Sequence, residues 1–240
     1  YLEILLISIG IQVFCVIYGK LMFRGEAEGR YKCLQYGTIC SNAGFLGNPI
    51  AEGIYGMEGL VLASVYLIPQ RIMMWSEGVS VFTEAPTKKE MLKKIFTHPC
   101  IIACEIGIVL MLTGWRPPHF LEETITSVSN CNTAMSMLVI GMILADADPK
   151  TIIDKDVLFY TFIRLLIIPF CVFIPCWLLH TDSLVMGVSV ILAAMPAGAT
   201  TTILASKYDC EEEFSVKLVV FSTAASLITT PLWNMILLKF

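Results

Sequence analysis

The chain has 240 residues, of which 56% are apolar and 15% charged, with a formal net charge of −4. Soluble domains carry roughly 45–50% apolar and about 25% charged residues, and a single core cannot hide this excess from water. The composition therefore excludes an ordinary soluble domain and points to lipid as the solvent. The acidic balance also excludes a nucleic-acid partner, which needs a concentrated basic surface.

An apolar stretch of about 20 residues crosses the hydrocarbon core as a helix. In chain order the sequence divides into eight such stretches, at 1–23, 32–56, 60–82, 99–115, 119–145, 157–179, 184–206 and 214–238. The chain is expected to be an all-α polytopic membrane protein. Lys and Arg alternate across the joints. One set holds Lys20, Arg24, Arg30, Lys32, Lys88, Lys89, Lys93, Lys94, Lys150, Lys155 and Lys207, whereas the other holds only Arg116 and Lys239. The positive-inside rule places the first set in the cytoplasm and both chain ends outside, in the plasma membrane. In the 83–98 joint, KKEMLKKIF sets Met91, Leu92, Ile95 and Phe96 opposite a Lys-rich face, which suits a helix lying on anionic lipid.

The nine cysteines form no C-x-x-C pair, and no H-E-x-x-H occurs, so no metal site is expected. No nucleophile-and-base constellation is present either, and an enzyme is not expected.

Two spans contain what a lipid-facing helix avoids. The second reads CSNAGFLGNPIAEGIYG and the seventh AAMPAGATTTILASKY. Pro inside a helix removes a backbone hydrogen bond, and at membrane depth the freed groups are tolerated only in protein or against a water-filled cavity. Broken helices of this kind build substrate sites in secondary transporters, because half-helix N-termini present N–H donors to anions. Each broken span lies between two plain ones, and the charge rule orients the two units oppositely, which describes an inverted-topology repeat. On this reading 1–82 is the remainder of a first repeat, 83–98 a cytoplasmic loop and 99–240 a second repeat of five spans. Tyr1 opens inside an apolar run, and two further spans upstream are expected, giving five plus five helices.

At these residues the sequence resembles the auxin efflux carrier family, which contains plant auxin carriers and bacterial malate and malonate permeases. SNAGFLGNP resembles the family's first crossover element, MPAGATTTILASKYDCEEE its second, THPCIIACEIGIVLMLTGWRPP the helix opening its second half, and FIRLLIIP the R-x-x-x-x-P pattern of its eighth helix. The resemblance implies two inverted five-helix repeats whose broken helices cross at Pro49 and Pro196. It also implies alternating access and a carboxylate substrate. By the same resemblance, Asn42 would contact the substrate carboxylate and Gln70 would support the crossover. Ala197 stands where plant members carry Gln, which favours malate or malonate over auxin.

Neutral amides and hydroxyls bind a carboxylate without burying a charge, which singles out Asn42, Asn48, Thr200 and Thr201, beside Gly198 and the two prolines. Asn130 and Asn132 are candidates for the same cavity from the other side. Ionisable groups deep in spans default to functional candidates. Arg164 would attract an anion or pair with a carboxylate, Arg71 lies beside Gln70, and Glu105 would have its pKa raised by burial and carry a coupling proton or pair with an Arg. No cofactor is expected, with energy drawn from the substrate gradient, a proton or Na⁺. The expected partners are the bilayer, a small carboxylate and a second copy in a homodimer. Two other functions fit the same architecture: a membrane sensor that binds without transporting, and a cation/proton antiporter.

Overall fold

The computed structural model describes residues 1–82, 97, 99–145 and 154–239. The helices are α1 (Leu2–Met22), α2 (Glu28–Ile39), α3 (Asn48–Met73), α4 (Val79–Phe82), α5 (Pro99–Thr113), α6 (His119–Ala145), α7 (Lys155–Phe162), α8 (Ile168–Leu178), α9 (Ser183–Ala193), α10 (Thr200–Lys207) and α11 (Glu212–Leu237). Wider π-turns at Ala43–Gly47, Met74–Gly78 and Ile163–Ile167 run directly into α3, α4 and α8. Four stretches are long and apolar enough to cross a membrane, at Leu2–Met22, Ala43–Phe82, Lys155–Leu178 and Glu212–Leu237. The fold is that of an all-α membrane protein, and the described residues contain no β-strand beyond one isolated bridge. The loop helix expected at 83–98 lies outside the described residues, apart from Thr97.

α1 shows why the bundle suits lipid. Its buried face carries Ile4, Ser8, Ile11, Gln12, Cys15 and Gly19, while Leu2, Leu6, Ile9, Val13, Ile17 and Leu21 are exposed. The polar groups are turned inward and the large aliphatic side chains outward, the reverse of a surface helix in water. Ser8 Oγ donates to the Tyr66 carbonyl at 2.6 Å.

α1 packs on α2, α3 and α9, and α9 packs in turn on α3 and α8. Every residue of α9 from Val185 to Ala193 is buried, so this half-helix forms the centre of the bundle. Asp182 starts it, its Oδ1 accepting from the Leu184 and Val185 amides at 3.0 and 3.2 Å. α11 closes the bundle against α7 and α10. α5 and α6 attach at α3, at the 43–47 turn and at α11, and they leave Ile106, Val109, Ile125, Val128, Leu138 and Met142 exposed.

Several of the charged segments meet at one end. Arg30 Nη1 lies 2.6 Å from Asp156 Oδ2, Arg30 Nη2 lies 3.2 Å from Asp154 Oδ2, and the guanidinium sits 4.8 Å from the Phe214 ring centroid. Lys20 pairs with Glu77. The 20–32, 154–156 and 211–214 segments thus meet at one end, and they are the joints of the basic set and their neighbours. Gly56, at φ +68°, divides α3 in two at the position expected for the opposite joint. Nearby Tyr55 lies against Gly187 in α9.

Candidate functional site

The chain is broken twice near the middle of the bundle, and the two breaks lie against each other. α2 stops at Ile39 and α9 at Ala193, and helix resumes at Ala43 and Thr200. Between them Ser41 and Ala197 form an antiparallel bridge. Asn42 N donates to the Pro196 carbonyl at 2.8 Å and Gly198 N to the Cys40 carbonyl at 2.9 Å. These bonds satisfy backbone groups that water cannot reach at this depth. Pro196 lies on the crossing as expected. Pro49 does not. The first break lies at Cys40–Asn42, and Pro49 follows the wide 43–47 turn, at the point where it passes into α3.

Each break is braced by a polar side chain from the next long helix. Gln70 Nε2 donates to the Ser41 carbonyl at 2.8 Å, and Ser222 Oγ accepts from Ala197 N at 3.2 Å.

Arg164, 3% exposed, sits where the two upstream half-helices end. Its Nε donates to the Met195 carbonyl at 2.9 Å and its Nη1 to the Thr38 carbonyl at 3.1 Å, with Cys15 Sγ 3.9 Å away. Helix C-termini carry partial negative charge, and two of them converge on this guanidinium. Arg164 therefore pairs with backbone carbonyls, and among the described residues no carboxylate joins it.

The downstream half-helices present their N-termini to a small cleft. Asn42, Gly44 and Phe45 line it from the first, Gly198, Ala199 and Thr200 from the second, and Gln70, Arg71 and Met74 from the helix following the first break. No side chain caps either N-terminus, so first-turn N–H groups lack the usual side-chain acceptor. Asn42 is 3% exposed, and its amide has no hydrogen-bond partner among the described residues. Arg71 is half-buried and likewise has no hydrogen bond or ion pair there. Its guanidinium lies against Gly44, so close that an added Cβ would be 2.6 Å from Nη2. A cation beside two helix N-termini is a convergence of like charge, which an anion relieves.

Of the residues singled out in the sequence, Asn42, Gln70, Arg71, Gly198 and Thr200 line this cleft. Asn48 does not. The wide 43–47 turn precedes it, and its Oδ1 is buried without a partner among the described residues. Thr201 is buried one residue behind Thr200, its Oγ1 also unmatched. Asn130 is exposed on α6 and is not among the lining residues, and the side chain of Asn132 lies outside the described residues. Glu105 is exposed on α5, so the burial expected for it is absent, and no described Arg pairs with it. Sequence reasoning missed Ser222 and Tyr36. Tyr36 donates its hydroxyl to Thr200 Oγ1 at 3.2 Å. A Ser or Tyr within an unbroken helix carries no signal of such a role.

Comparison with known proteins agrees with this architecture. Residues 82–234, more than half of the chain, match the family described as membrane transport protein. An uncharacterized transporter of Methanothermobacter thermautotrophicus is 27% identical over 95% of this chain and 78% of its own length. One from Methanocaldococcus jannaschii is 24% identical over 98% and 78%. The uncharacterized transporter YfdV of Escherichia coli K12 is 22% identical over 95% and 76%. A helical bundle with polar groups turned inward, two broken helices and this family match give one conclusion: the chain is a membrane transporter of the auxin efflux carrier family, and not an enzyme.

Proposed function

We propose that this transporter is a secondary carrier of small organic anions, with carboxylates such as malate or malonate as its substrates and alternating access as its mechanism. The observation that supports this reading is the convergence of the Arg71 guanidinium with two uncapped half-helix N-termini on one cleft, in which no described lining residue is a carboxylate. A carboxylate there accepts from Arg71, from the amide of Asn42, from the Thr200 hydroxyl and from first-turn N–H groups. Gln70 keeps its amide on the Ser41 carbonyl and holds the crossing in place. A cation/proton antiporter would call for acidic groups at the same point, and the described lining residues include none.

The inverted repeat belongs to the same proposal. The 1–82 and 155–237 units each run from an apolar helix to a broken helix and then to a long helix containing an internal proline, Pro69 in one and Pro231 in the other. Each break is braced from that third helix, by Gln70 or by Ser222. On this reading eight spans belong to a five-plus-five protein of the plasma membrane, its basic joints at the cytoplasmic face, and the crossover unit rocks against α5 and α6. The substrate gradient, a proton or Na⁺ drives the cycle.

Arg71→Gln and Asn42→Ala, reconstituted at equal density, test the reading. Each should reduce uptake of labelled malate or malonate at least about tenfold, as expected when a charge-assisted contact is lost. Wild-type uptake in both variants would contradict it. Binding without uptake in the parent protein would instead indicate a sensor.

A further inference from the structure

We infer that Tyr36 is a positioning residue of the anion cleft, which turns the Thr200 hydroxyl into a donor toward the bound carboxylate; this rests on the anion-binding reading of the cleft.

Tyr36 itself does not line the cleft. It lies in α2, one turn before the first break, and is 1% exposed. Its ring is fixed on two sides. A Cβ at Gly78 would lie 3.0 Å from Tyr36 Cε2, and the Phe82 ring meets it edge-on, with centroids 5.5 Å apart and planes at 63°. The hydroxyl is thereby aimed at Thr200 Oγ1, at 3.2 Å, with the Cys40 thiol as its other hydrogen-bonding neighbour. Thr200 begins α10 and forms part of the cleft wall.

A threonine hydroxyl has one hydrogen and two lone pairs. With its hydrogen turned to Tyr36, it would show lone pairs to the cleft and repel a carboxylate. With Tyr36 donating, the Thr200 hydrogen is free for the anion, and the bond behind it polarises the O–H further. The phenol is the more acidic of the two hydroxyls, which favours the same direction. The other hydroxyl on the wall, Ser41 Oγ, already gives its hydrogen to Gln70 Oε1 at 3.4 Å. Thr200 is therefore the hydroxyl of this wall with a hydrogen to give, and Tyr36 sets its direction.

The test uses the full chain in proteoliposomes, with whichever of labelled malate, malonate or indole-3-acetate the wild type takes up fastest. Tyr36→Phe keeps the ring and its contacts with Gly78 and Phe82. It should raise KM about five- to tenfold, the size of one hydrogen bond, with kcat within about twofold. Thr200→Val should raise KM at least as much, and Thr200→Ser, which keeps the hydroxyl, should restore it. The double variant Tyr36→Phe with Thr200→Val should be no worse than Thr200→Val alone, because the two residues act as one unit. An unchanged KM in Tyr36→Phe, or effects that multiply in the double variant, overturns the inference. If Arg71→Gln abolishes uptake while Tyr36→Phe leaves KM unchanged, only this inference falls. If Arg71→Gln has no effect, or the wild type takes up none of the three, the anion-cleft reading falls with it.

Discussion

Gly44 and Gly198 both lie on the cleft wall, yet a Cβ meets different things at each. At Gly198 it would lie 2.9 Å from the Cys40 carbonyl oxygen, which is backbone and already accepts the Gly198 amide. At Gly44 it would meet the far end of the Arg71 side chain, which can move. Gly198→Ala should therefore force the crossing segments apart and cost about 1–3 kcal/mol, the usual toll of overpacking, read as a lower unfolding temperature in detergent. Gly44→Ala should leave that temperature nearly unchanged and weaken substrate binding, because it displaces the guanidinium. Equal thermal losses in the two variants would contradict the assignment. At this scale the sequence reading named Asn42, Arg71, Gly198 and Thr200 as polar or flexible residues interrupting an apolar run, and Gln70 through the family resemblance, and all five line one cleft. It missed Tyr36 and Ser222, whose importance depends on which carbonyl or hydroxyl the fold brings within reach. It placed Glu105 in a buried setting because an apolar span looks the same from every side until its neighbours are known.

Prolines within the helices show how elements divide the work of satisfying their backbone. Pro169 has no N–H to offer the Leu165 carbonyl one turn earlier. That carbonyl instead accepts from Trp233 Nε1 of α11 at 2.9 Å. The Trp233 ring also packs on Phe170 and Phe173, with centroids 5.9 and 6.3 Å away. Trp233→Phe should preserve most of that packing and leave the buried carbonyl unmet, at a cost of about 1–3 kcal/mol. Thermal unfolding of the detergent-solubilised protein checks this, and an unchanged midpoint would mean that another donor supplies Leu165. The same helix–proline pattern limited the reading of the first break. Pro49 marks the broken span by composition, yet the chain departs from helix eight residues earlier, at Cys40–Asn42, and the wide 43–47 turn carries the resumed helix into Pro49. The second break has no such ambiguity, since Pro196 lies within the crossing itself.

Across the whole molecule the crossover is electrically polarised. Two half-helix C-termini meet Arg164 on one side, and two half-helix N-termini meet Arg71 on the other. The first arginine is held by two backbone carbonyls and fixes the frame; the second is left with its charge facing a cleft. Composition and joint charge were enough to read an all-α membrane protein, because lipid imposes apolar length and charge alternation on the chain. The partition of roles between the two arginines was not legible, since each appears in the sequence as one cation in an apolar run.

The central claim is that this cleft carries an organic anion across the membrane, and uptake by the wild-type protein in proteoliposomes tests it most directly. Labelled malate and malonate should enter faster than in protein-free vesicles, should compete with each other, and should be unaffected by excess of the neutral diamide malonamide. Uptake of neither carboxylate, or equal competition by malonamide, would contradict the account.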